Sequence, residues 1–66
     1  MALRYDDVPR KAQGLADFIA RLARAGIISL SRALNSLDRL AWRMEEMGQP
    51  DAADAVSGVY MSLKAV

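Results

Sequence analysis

Apolar residues recur at alternating steps of four and three along nearly the whole chain, and the rhythm breaks only at two glycine-marked joints. Val8, Ala12, Leu15, Ile19, Leu22 and Gly26 form the first run, which Phe18 widens. Leu30, Leu34, Leu37, Ala41 and Met44 form the second, broadened by Ala33, Leu40 and Met47. Ala52, Val56, Val59, Leu63 and Val66 form the third. That spacing places each set on one side of an α-helix. The reading is an all-α chain, residues 1–66 as one domain, with helices over about 9–25, 30–47 and 50–65.

The flanking residues fit those boundaries. Pro9 suits a first helical turn, and Asp6 and Asp7 lie where the positive end of a helix favours carboxylates. Gly26 can take the left-handed conformation that stops a helix. Ser29 or Ser31 can then cap the next one by accepting an orphan backbone N–H. Gly48 ends helix 2, and Pro50 opens helix 3 after a joint of about two residues. A joint this short makes helices 2 and 3 an antiparallel hairpin, onto which helix 1 packs. Asp17 and Arg21 are spaced for an i, i+4 ion pair on the outer face of helix 1. Gly14 weakens helix 1, and Ser57-Gly58 makes helix 3 the weakest of the three.

Size makes the fold depend on more than its own core. A chain of 66 residues buries only about 60% of its unfolded surface, and small domains usually add a disulfide, a metal or a second subunit. The chain has no cysteine and no histidine, so neither a disulfide nor an ordinary zinc site is available. Three wide apolar stripes are better covered in a dimeric bundle than in a lone chain, and a homo-oligomer is the expected state.

The missing residue types also narrow the chemistry. Without histidine or cysteine the usual general bases and thiol nucleophiles are absent, so neither an enzyme nor a cofactor or metal site is expected. Asp38 with Glu45, and Asp51 with Asp54, read as solvated charge on helix surfaces. No apolar run approaches the roughly 18 residues of a membrane span, and the N-terminus MALRYDDVPRK lacks the apolar segment of a secretory signal. A cytoplasmic protein is expected. GLADFIARLARAG has apolar and arginine faces suited to a membrane surface, but Asp17 on the polar face and the packed partners downstream count against that use.

The net charge of +1 conceals a polarity. Residues 1–43 hold eight bases against four acids, a balance of +4, and residues 44–66 hold one base against four acids, a balance of −3. Such a distribution can orient self-association or present a basic face to an anion. Trp42 lies about 150° from the apolar centre of helix 2 at Leu37 and Met44. Its helical neighbours Asn35, Asp38, Arg39, Glu45 and Glu46 are all polar. Tryptophan and arginine are enriched where interfaces concentrate their energy, so Trp42, Arg39, Arg43 and Asn35 form the expected interaction face. A cation–π contact between Trp42 and Arg39 is within reach of that spacing. Met61 also points away from its stripe. The expected role is a non-enzymatic protein-interaction or regulatory adaptor.

A nucleic-acid regulator is the alternative. Arg32, Arg39 and Arg43 line up on helix 2, and Arg21 and Arg24 on helix 1, as phosphate contacts would. LARAGIISLSRALN, residues 22–35, resembles the reading segment of LacI-type repressors, in which a turn glycine precedes a Ser/Thr-rich stretch and then SR-x-x-N. The resemblance implies a DNA-binding helix-turn-helix. It covers fourteen residues and departs from the pattern at two points. Gly26 lies about two residues too close to Ser31-Arg32, and Arg32 stands where the recognition helix buries a side chain. The apolar seam also continues to Met47, well beyond a short recognition helix. A dimeric hairpin that grips RNA, in the manner of Rop-type plasmid regulators, shares only the length and architecture.

Overall fold

A computed structural model describes residues 7–65, with the side chains of Asp7 and Pro9 excepted. The expectations placed on Asp6 and Val66 lie outside those residues. The chain is all-helical: α1 Asp7–Arg24, α2 Leu30–Glu46 and α3 Pro50–Lys64. Each boundary falls within about two residues of the one the sequence suggests, because the stop and start signals are local and strong.

Both α1 and α2 end in the same way. After α1, the Gly26 N–H donates to Ala23 C=O at 3.1 Å and the Ile27 N–H to Leu22 C=O at 2.9 Å, with Gly26 at φ 75°. After α2, the Gly48 N–H donates to Glu45 C=O at 3.0 Å and the Gln49 N–H to Met44 C=O at 2.8 Å, with Gly48 at φ 74°. These paired bonds satisfy carbonyls that the helix leaves open, and they need a left-handed residue that glycine adopts without steric cost. Ser29 is the cap of α2. Its hydroxyl oxygen accepts the Arg32 backbone N–H at 3.2 Å, which satisfies one orphan donor of the first turn. Pro50 stands in the first turn of α3, where its missing N–H costs nothing.

The three helices run up, down and up. Val8 and Lys11 near the start of α1 share a depression with Met44 and Met47 at the end of α2. Ala23 and Arg24 at the end of α1 meet Leu30 at the start of α2 and Leu63 at the end of α3. The packing is unequal: α3 lies extensively against both α1 and α2, while α1 and α2 touch each other much less. Being covered on two sides, α3 buries Ala52 and Ala53 together with Val56 and Leu63. Ser57-Gly58 lowers its intrinsic helicity, and tertiary packing supplies what propensity lacks.

The core is made largely of alanine. Ala12, Ala16 and Ala20 of α1, Ala33 of α2, and Ala52 and Ala53 of α3 are buried, joined by Leu37, Met44, Val56 and Leu63. This revises the packing face expected for α1. The buried row steps by four, from Ala12 to Ala16 to Ala20, while Leu15 is 49% exposed and Phe18 56% exposed. The reason is geometric. Helix separation depends on the side chains at the contact, and a row of alanines needs less room between helices than a row of leucines would. On α2 the expected stripe is split, with Ala33, Leu37 and Met44 inside and Leu30 and Met47 at the surface. The i, i+4 pair between Asp17 and Arg21 is not formed, and the described residues contain no ion pair.

Two stability outcomes are expected from urea unfolding. Ala16→Leu forces extra volume into a fully buried site and costs about 1–3 kcal/mol, whereas Leu15→Ala changes stability by less than about 1 kcal/mol in the monomer because the leucine is half exposed. The glycines separate the same way. A Cβ at Gly14 or Gly58 meets no atom within 4 Å, so alanine at either stabilises by about 0.5–1 kcal/mol. Alanine at Gly26 or Gly48 destabilises by about 1–2 kcal/mol because both have positive φ.

Candidate interaction faces

Placing alanines inside leaves the large apolar side chains outside. Along the seam between α1 and α2 lie two depressions. One, of about 230 Å³, is lined by Val8, Lys11, Ala12, Leu15, Leu40, Met44 and Met47. The other, of about 290 Å³, is lined by Leu15, Ile19, Ser36, Arg39, Leu40 and Arg43. Leu15 and Leu40 belong to both, so the two form a continuous trough. Its floor is apolar and its rim carries Lys11, Arg39 and Arg43. No acidic side chain lines either depression. Phe18 stands beside it, one helical turn from Leu15. The trough exists because α1 buries its alanine row and packs only lightly on α2, which leaves Leu15 facing a gap that α2 does not close.

Trp42 is not part of this trough. At about 100° per residue it lies about 160° around α2 from Leu40, and its side chain is 62% exposed. Asn35, Asp38, Arg39, Glu45 and Glu46 are its neighbours at helical spacing, and all are exposed. Met61, exposed to a similar extent, stands on α3. Arg39 makes no cation–π contact with the indole. The contact of that kind among the described residues joins Lys64 Nζ to the Tyr60 ring at 5.8 Å.

The four residues singled out as one interaction face are therefore divided. Arg39 and Arg43 border the trough, whereas Trp42 and Asn35 lie away from it, on the exposed surface of α2. The arginines proposed to follow a phosphate backbone are divided too. Arg32, Arg39 and Arg43 occupy the exposed surface of α2. Arg24 lines a cleft of about 480 Å³ between α1 and α3 together with Gln13, Asp17 and Asp54. Arg21 is exposed on α1, about 60° from Arg24. Two carboxylates in the same cleft as Arg24 oppose binding of a polyanion there.

Sequence reasoning passed over Leu15, Phe18 and Met47 as surface residues, since their spacing is that of a core. The available signal was the ladder Ala12-Ala16-Ala20, a row of small residues on the edge next to the leucines. A third apolar patch, at the joint after α1, exposes Ile27 and Leu30 around a small cavity of about 200 Å³ lined by Ala23, Arg24, Leu30 and Leu63.

No described helix is long and apolar enough to cross a membrane. In dilute solution Trp42 is expected to emit as a solvated indole and to be quenched readily by acrylamide. A blue-shifted, protected emission at the lowest workable concentration would contradict the exposed position. No family model, curated protein or solved structure matches this chain.

Proposed function

We propose that this chain is a non-enzymatic protein-interaction module, a small adaptor or regulator that works as a homo-oligomer, with a dimeric bundle as its smallest form. One observation carries the reading: the core is lined mainly by alanines, while Leu15, Phe18, Ile27, Leu30, Trp42, Met47 and Met61 are exposed. Single exposed apolar residues need no explanation. Leu15 and Met47 in one trough rimmed by charge, with Phe18 one helical turn from Leu15, fit a surface built to be covered.

The magnitudes favour a contiguous contact. Covering the exposed half of one such side chain contributes about 1 kcal/mol, while association costs roughly 4–15 kcal/mol. No isolated residue offsets that cost, but Leu15, Phe18, Leu40 and Met47, with their counterparts on a partner, come within its range. Association is therefore expected to be modest and concentration-dependent. The charge polarity of the chain adds orientation to the contact.

The nucleic-acid reading receives less support. The basic residues of α1 and α2 do not converge on one strip, and Arg24 shares its cleft with Asp17 and Asp54.

Solution mass by light scattering, measured over a concentration series, tests the proposal. A mass above 7.2 kDa that rises with concentration is expected. Leu15→Ser with Phe18→Ser should weaken association at least tenfold, with little loss of helicity by circular dichroism. A mass that stays monomeric at millimolar concentration would overturn the homo-oligomeric reading. Tight, steeply salt-dependent binding of nucleic acid that weakens on Arg32→Ala, Arg39→Ala or Arg43→Ala would favour the alternative.

A further inference from the structure

We propose that copies of this chain join head to tail, with the α1–α2 trough of one copy receiving the Trp42 edge of the next. The inference rests on the self-association argued above and specifies which surfaces meet.

The two surfaces are complementary in charge. The trough has an apolar floor at Leu15, Leu40 and Met44 and a basic rim at Lys11, Arg39 and Arg43. The other edge of α2 presents Trp42 among Asp38, Glu45 and Glu46, all exposed, with Arg39 between it and the trough, so three acids face one base there. Pairing the trough with itself across a two-fold axis would set arginine rims against each other, and pairing the Trp42 edge with itself would set carboxylates against carboxylates. Like-charge juxtaposition is the usual means by which an interface rejects a wrong partner. The trough against the Trp42 edge is the pairing in which both apolar surfaces are covered and both charge sets are matched. A large, stiff indole is also the side chain that most often anchors such a contact.

The placement of the surfaces dictates the symmetry. The trough floor at Leu40 lies about 160° around α2 from Trp42, so a copy engaged through that floor still presents its indole. Such a contact is heterologous: it closes into a ring if the rotation between copies permits, and otherwise it extends as a filament. This is why the assembly grows beyond the dimer as concentration rises.

Two variants separate the surfaces. Lys11→Glu with Arg43→Glu reverses the trough rim and keeps the indole with its helical neighbours, while Trp42→Ala removes the anchor and keeps the trough. All three positions are exposed, and circular dichroism verifies that the helices remain. Leu15→Ser serves as a second trough variant if the double reversal fails to fold. Each variant alone is expected to remain monomeric at ten times the concentration at which the unaltered chain associates. Mixed, the two should form a 1:1 complex of twice the monomer mass. The emission of Trp42, which in that mixture belongs only to the trough variant, should shift to the blue.

Continued assembly of either variant alone, or a mixture that stays monomeric, would overturn the proposal. An unaltered chain that stops at a dimer would also overturn it while leaving homo-oligomeric function standing. An unaltered chain that never associates would overturn both.

Discussion

The feature on which the rest of this structure depends is the buried alanine row of α1, Ala12, Ala16 and Ala20, in a helix that packs far more extensively on α3 than on α2. Three methyl groups at successive turns allow the helices to lie close, so that a short chain obtains dense packing from little side-chain volume. The same contact determines what the chain presents to its surroundings. By docking through its small edge, α1 turns its large residues away from α3, and α2 meets them only in part. The apolar trough is the geometric consequence.

That arrangement gives the molecule its balance of stability. Leu37 and Val56 are the larger side chains fully withdrawn from water, and alanines add little hydrophobic free energy apiece. Helix termini compensate locally through the paired carbonyl bonds after α1 and α2 and the Ser29 cap. Such devices define where helices begin and end, but they do not replace a core. A domain of this size with half-exposed leucine, phenylalanine and methionine gains from any partner that covers them, and this links the fold to the proposed role.

Charge and shape diverge along α2. Arg39 and Arg43 border the apolar trough, while the opposite edge holds Trp42 among carboxylates. A reading of the helix as one amphipathic surface with a single outer face merges these into one patch. In the folded chain Arg39 and Arg43 border the gap that α1 leaves along α2, while Trp42 does not line it.

The sequence by itself determined the helices, their ends and their order. Those features arise from interactions within a few residues: the apolar period, glycines able to take positive φ, a serine ahead of a helix, and a proline in a first turn. The exposure of Trp42 was also legible, since it lies opposite the apolar stripe of its own helix. Which edge of the α1 stripe would be buried was not legible. Ala12, Ala16 and Ala20 run alongside Leu15 and Leu22, and periodicity counts both rows as apolar without ranking them. Only the tertiary structure decided between them, because the choice depends on how α1 packs against the other two helices, which no local pattern encodes. That Arg39 and Arg43 border the trough while Trp42 does not follows from the same decision.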